Sequence, residues 1–382
     1  MNANVRANVR IQSPPSQLTP MVRNRVTLKD VARRAGVSYQ TVSKLLNHQI
    51  RLPEETERRI WQAVEELGYT PHYNARSLRA QRSFTIGYSW PPSPPDETNP
   101  ILDQFLQSMF VAAEARGYYL LMFPYHYQVD KQLATYAELI DTGRVDGFIL
   151  SSVEYNDPRI RYLQERKFPF VAFGRSNPDW HFPCIDVDGG KGLYEVTCHL
   201  IALGHRRIAA LAWPENSRVG NNRLEGYLIA LREANIPVNA TWILRGEGRL
   251  DFGYRATHHL LNLPSQQRPT ALVALNDYMA IGAMQAAQER GLRVGEDLAI
   301  SGFDDIPLAR YLTPPLTSLR QPIWEIGQQV IERLIDLIET GQFPEPQCQL
   351  VPPTLIVRAS TDPNAKASTG SYSPSTKEVI NG

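Results

Sequence analysis

Cysteine is scarce: the 382 residues hold three, Cys184, Cys198 and Cys348. An odd number so widely spaced suits neither a disulfide scaffold nor a metal site, so a metal-free, disulfide-free protein of the reducing cytoplasm is expected. Long apolar runs are missing too. No stretch reaches about 18 apolar residues, and the first 25 residues lack the apolar core of an export signal. Neither secretion nor a membrane partner is expected. The signatures of catalysis are also absent. There is no Gly-rich phosphate loop of the right spacing, no Gly-x-Ser-x-Gly elbow and no His-Glu-x-x-His pair, and Gly246-Glu247-Gly248 lacks the third glycine of a dinucleotide site. His199, His205, His258 and His259 show no ligand spacing. The expectation is a protein without catalytic residues, metal or cofactor.

Net charge of one sign is nearly absent as well, at +1, but the mean hides an asymmetry. Residues 1–82 hold 14 Lys/Arg and 6 Asp/Glu, a balance of +8, and the remainder carries −7. A basic module on an acidic body has a phosphate backbone as its commonest partner; the alternative is a solvated basic face.

Apolar content is 42%, that of a globular protein. Residues 1–24, with Pro14, Pro15 and Pro20 among polar residues, read as a flexible arm, and 359–382 as a flexible tail. Between about 84 and 358, short apolar runs alternate with helical patterns: Thr85–Tyr88, Tyr119–Phe123, Gly147–Leu150, Phe170–Phe173, Ile208–Leu211, Ala271–Ala274 and Leu298–Ser301. Such runs are parallel strands buried on both faces. About ten units exceed one sheet and predict two doubly wound lobes, with the ligand in a cleft beyond the strands' carboxyl ends.

The segment Val26–Asn47 carries the sharpest signal. Thr27 and Asp30 form a capping box ahead of a helix with Leu28, Val31 and Ala32 on its apolar side. Gly36 turns the chain, and Ser38 caps a second helix that faces inward with Val42, Leu45 and Leu46. This is a helix-turn-helix, whose second helix enters the major groove of DNA. Tyr39, Gln40 and Lys44 are then the base-reading candidates, Gln toward adenine and Lys toward guanine. Ser38, Thr41, Ser43 and Asn47 are candidates for phosphate contacts, and Thr27 and Arg51 join the DNA-binding set. A small helical hairpin packed on a larger domain is the alternative. Pro53 opens a third helix with Glu54 and Glu55 in its first turn, Ile60, Val64 and Leu67 form its inner face, and Gly68 ends it.

With these residues in place the chain resembles the LacI family of bacterial transcription regulators from about Val26 to Arg358. The resemblance is carried by Val37–Asn47, Leu67–Pro71, Arg76-Ser77-Leu78, Val145-Asp146-Gly147, Leu203–Ile208, Asn276–Ala280 and Gly302–Pro307. It implies an all-α helix-turn-helix headpiece and an α/β two-lobed domain like periplasmic binding proteins, with parallel sheets. The implied boundaries are 25–72 for the headpiece, 73–83 for a hinge helix and 84–358 for effector binding and dimerisation. Lobe 1 would take about 84–185 plus 318–345, and lobe 2 about 186–317 plus 346–358.

The resemblance places Arg76, Leu78 and Arg79 in the hinge on DNA. Leu78 would be a minor-groove wedge; Arg79 stands where many relatives have a small or neutral residue, and a phosphate contact is the role expected of it. It carries the effector contacts to Arg223, Asn276 and Asp304, with Arg175 a further candidate after its strand. A guanidinium fork, an amide and a carboxylate suit paired hydroxyls of a sugar. The alternative for Asp304 and Asp305 is a cap on the following turn. Tyr88, Trp90 or Trp213 would face a sugar ring. The Pro-rich loop Ser89–Pro100 departs from the family, and Ser217–Asn221 matches its nucleobase-binding members poorly, which favours a sugar over a purine or nucleoside corepressor. The expected partners are a pseudo-palindromic double-stranded DNA operator, a small-molecule effector and a second copy of the chain. A solute-binding protein without regulatory role is the remaining alternative.

Overall fold

The computed structural model describes residues 26–46, 50–69, 82–91, 98–342 and 347–365. The chain divides into two compact units, Met1–Gln81 and Arg82–Gly382.

In the first unit, helices α1 (Leu28–Ala35), α2 (Tyr39–Leu46) and α3 (Glu54–Leu67) bury Val31, Ala35, Val42, Leu45, Ile60 and Ala63 against one another. The capping box forms: the Asp30 carboxylate accepts from the Thr27 N–H at 2.9 Å and from its hydroxyl at 2.7 Å. Those two bonds hold Asp30 below the ordinary aspartate pKa. Gly36 ends α1 in the left-handed region at φ 66°, where a side chain would be strained. Ser38 Oγ then accepts the Thr41 N–H at 3.1 Å and starts α2.

In the second unit the expected strands form two parallel sheets. The first runs β11 (Cys348–Val351), β5 (Cys184–Val187), β4 (Phe170–Phe173), β3 (Gly147–Leu150), β1 (Thr85–Trp90) and β2 (Tyr119–Pro124). The second runs β7 (Ile243–Arg245), β6 (Ile208–Ala212), β8 (Ala271–Ala274) and β9 (Ala299–Ser301). The strands β3, β6 and β8 are buried along their whole length, as apolar strands covered on both faces must be. A short antiparallel pair, β10 (Ser318–Arg320) with β12 (Thr354–Ile356), stands beside them.

Helices α4 (Pro100–Ala115), α5 (Val129–Asp141) and α6 (Pro158–Glu165) serve the first lobe, while α7 (Gly189–Ala202), α8 (Arg218–Glu233), α9 (Leu250–Leu261) and α10 (Asp277–Glu289) serve the second. Helix α11 (Ile323–Thr340) returns to the first lobe and packs on α4. A Cβ at Gly327 would sit on Ser108 Oγ, so only glycine lets these two helices approach so closely.

Three readings need correction. Cys184 and Cys348 are disulfide-bonded with Cα atoms 4.4 Å apart, so the protein is not disulfide-free. Their sequence separation of 164 hides a pairing that exists only because parallel β5 and β11 place them opposite each other in register. Residues 348–351, read as lobe 2, form the edge strand of the first lobe's sheet. The tail read as starting at 359 begins in packed structure. Ser360 is fully buried; its Oγ donates to Ile300 O at 2.6 Å and accepts from Thr317 N at 2.8 Å. The arm 1–24 and most of the hinge segment 73–83 lie outside the described residues.

Candidate DNA-recognition face and ligand cleft

On α2, the buried side chains Val42 and Leu45 turn the other side to solvent. Gln40 and Lys44, four apart, share that outer side, and Tyr39 next to them is 49% exposed. Thr27 and Arg51 are exposed as well. Thr41 Oγ1 lies 2.8 Å from Ser38 Oγ, so both hydroxyls already serve the helix start. Ser43 departs from expectation: at 4% exposure it faces the helical core and is not presented to a phosphate. Asn47, Arg76, Leu78 and Arg79 lie outside the described residues.

Between the two lobes of the second unit, at the carboxyl ends of their strands, lies a cleft of about 950 Å³. Arg223 from α8, Asn276 at the start of α10 and Asp304 after β9 all line it. The Arg223 guanidinium carbon lies 3.6 Å from the Phe303 ring centroid and 5.0 Å from that of Trp213. Its Nη1 donates to Leu275 O and lies 3.7 Å from the Asp304 carboxylate, while Nε and the Trp213 indole N–H are buried donors without a partner among the described residues. Burial lowers the pKa of Arg223 against the pull of Asp304. The opposite holds for Asp304: burial pushes it up to about 6, although Arg223 and the Gln321 amide, which donates at 2.6 Å, draw it down.

Asn276 has a second duty. Its Oδ1 caps α10 by accepting the Met279 N–H at 2.9 Å, and its Nδ2 donates to Gly248 O at 2.7 Å. A Cβ on Gly248 would come within 2.5 Å of the indole nitrogen, so that glycine keeps the floor open. Arg175 is not on the cleft wall. Its Nε donates to Asp186 at 2.7 Å and its Nη2 to Asn222 at 3.1 Å, which orients two residues that are on it.

Of the three aromatic candidates only Trp213 lines the cleft. Tyr88 is fully buried with its hydroxyl 2.9 Å from Ser151 Oγ, and Trp90 packs beside the core. The residues missed are Tyr127, Tyr155, Tyr278, Glu154 and Gln321. Their available signal was position: Tyr127 follows β2 and Glu154 and Tyr155 follow β3, at the strand ends where ligands sit.

Glu154 crosses the cleft. Its carboxylate accepts the Arg218 N–H and, at 3.3 Å, the Ser217 hydroxyl, at the amino end of α8. Ser176 Oγ donates to Glu154 O at 2.8 Å, and Arg218 Nε donates back to Ser176 O at 2.9 Å. Loss of water around the Glu154 carboxyl raises its pKa despite these bonds. Farther along, the Tyr278 hydroxyl donates to Thr98 O at 3.1 Å and joins the lobes again. Among the described residues no group of three or more His, Cys, Asp and Glu could hold a metal, and no helix is long and apolar enough to cross a membrane.

A helix-turn-helix unit on the same chain as a two-lobed domain with a polar cleft defines a DNA-binding regulator controlled by a small molecule. The comparisons agree. Residues 27–72 match the model of bacterial regulatory proteins of the lacI family, and 197–361 match a periplasmic binding protein-like domain. The HTH-type transcriptional repressor PurR of Erwinia tasmaniensis is 38% identical over 337 residues, 87% of this chain and 96% of that protein.

Among solved structures, a LacI-family regulatory protein from Chloroflexus aggregans is 55% identical with a TM-score of 0.70, covering 72% of this chain and 98% of the other. The lac repressor dimer bound to operator and the anti-inducer ONPF is 30% identical with a TM-score of 0.78, covering 89% and 100%. The transcriptional regulator CelR in complex with cellobiose is 30% identical with a TM-score of 0.66, covering 88% and 100%. The chain belongs to the LacI family and is a DNA-binding transcriptional repressor of it.

Proposed function

We propose that a homodimer of this chain binds a pseudo-palindromic operator in the cytoplasm and that a sugar in the interlobe cleft controls the binding. The observation that carries the sugar reading is the floor of the cleft. The Arg223 guanidinium lies between the Phe303 and Trp213 rings and beside the Asp304 carboxylate, a set that suits neighbouring hydroxyls flanking an apolar ring face. CelR, similar along most of the chain, was solved in complex with cellobiose.

In this reading Tyr39, Gln40 and Lys44 read bases, Ser38, Thr41, Thr27 and Arg51 fix register on phosphates, and residues 73–83 form the hinge with Arg76, Leu78 and Arg79 on the DNA. The headpiece takes 25–72 and the effector domain begins near 84. The dimer has a fitting surface. Edge strand β2 exposes Tyr119 at 67% and Met122 at 38%, and α4 exposes Phe110 at 44% and Val111 at 49%. An effector between the lobes acts on the ties that cross the cleft, Glu154 to Arg218 and Tyr278 to Thr98, and so on how paired hinges meet. No catalytic role is assigned to any residue.

A purine effector is the second reading, favoured by the relatives named PurR. Fluorescence anisotropy on operator DNA at several salt concentrations, with cellobiose or hypoxanthine added, tests the proposal. Operator affinity is expected to fall steeply with salt and to change with the sugar. Binding that ignores salt, or a response to hypoxanthine alone, would overturn it.

A further inference from the structure

The cleft changes character along its length. Its floor is buried, with Arg223 at 5% and Asn276 at 7% exposure, whereas two rings stand open at its mouth, Tyr127 at 77% and Tyr155 at 37%. These tyrosines belong to neighbouring loops that share one support. The fully buried Arg159 guanidinium bonds the Asp157 carboxylate at 2.6 Å and the Ser151 carbonyl at 2.9 Å, which holds the loop carrying Tyr155. The same group lies 5.2 Å from the Tyr125 ring centroid, and Tyr125 packs on Tyr127 at 5.4 Å. Ser152 and Asn156 in that loop sit at φ 51° and 56°, conformations that side chains rarely adopt and that persist where surroundings enforce them. Two aromatic rings that stand uncovered at a mouth are a stacking surface.

Charge narrows what can stack there. Among the described residues lining the cleft, Glu154, Asp186, Glu247 and Asp304 are acidic and Arg223 is the one cation. Asp186 pairs with Arg175 and Asp304 with Arg223, so the wall holds little uncompensated charge and suits a neutral ligand. The volume of about 950 Å³ lies near the top of the range of roughly 300–1,000 Å³ for ligand sites. A single ring on the floor would leave the mouth empty.

We propose that the effector is a neutral oligosaccharide of at least two rings, the first on the Arg223–Trp213 floor and a later one stacked on Tyr127 or Tyr155. The proposal rests on the sugar reading above. Calorimetric titration of the full chain with glucose, cellobiose, cellotriose, maltotriose, glucose 6-phosphate and hypoxanthine tests both separately. At least one oligosaccharide is expected to bind about tenfold tighter than glucose, a difference of about 1.4 kcal/mol, with glucose 6-phosphate no tighter than glucose. In the double variant Tyr127→Ala/Tyr155→Ala the gain is expected to vanish while glucose affinity and thermal stability stay as they were. Glucose binding as tightly as every oligosaccharide, or a preference for glucose 6-phosphate, would overturn this inference and leave the sugar reading standing. Binding of hypoxanthine alone, or of none of the titrants, would overturn both.

Discussion

Lys44 and Asp304 show how much one side chain's setting decides. Lys44 stands exposed on the open side of α2 with its stem free to reach a base edge. Lys44→Ala is expected to relax discrimination at one operator base pair by about 1–3 kcal/mol, measured by binding to single-base operator variants; uniform weakening across all variants would assign it to phosphate instead. Asp304 was legible in the sequence as a residue type and position, but its chemistry comes from burial. Its folded pKa of about 6 lies above the ordinary 3.8, so the native state binds more protons than the unfolded chain between these values. Stability therefore falls as pH rises through that window. Asp304→Asn is expected to remove on the order of 1–3 kcal/mol of that decline, read as the difference between wild-type and variant unfolding at pH 4 and 7. Arg175 and Ser43 were legible only as candidates. What they do depends on partners brought together by folding, Asp186 on the next strand for Arg175 and the other helices of the headpiece for Ser43.

Helices and strands were read where local signals suffice. The Thr27–Asp30 box, the Gly36 and Gly68 ends and the apolar runs of β3, β4 and β8 fell where expected, because caps and buried runs act within a few residues. Short strands such as β7, β10 and β12, three residues each, escaped notice because they owe their existence to a neighbour rather than to pattern. Element contacts set two further tests. Gly327→Ala drives a methyl into Ser108 and is expected to cost about 1–3 kcal/mol and to lower the melting temperature, because α11 cannot retreat from α4 without leaving β3 and β4. Cys348→Ser releases β11 from β5 and is expected to cost roughly 2–4 kcal/mol in guanidinium unfolding under non-reducing conditions. Added reductant should bring the wild type to the variant's value. Cys198, a free thiol, provides the control substitution.

For the whole molecule, operator and effector are coupled by one free energy, typically about 1–3 kcal/mol. Whatever factor the effector applies to operator affinity, operator DNA is expected to apply to effector affinity, and titrations in both orders check it. Glu154→Gln weakens the tie across the cleft and is expected to change that factor more than operator affinity without effector. Composition and local pattern by themselves determined the basic head, the helix-turn-helix and the alternation of strand and helix, since charge balance, capping and apolar period are short-range properties of a chain. Tertiary structure alone decided that Cys348 meets Cys184, that the chain returns through α11 and β11 to complete the first lobe, and that tyrosines from two separate loops flank one mouth. Those facts depend on parallel register and on the way the chain crosses and returns between lobes, where residues distant in sequence become neighbours and no local signal announces them.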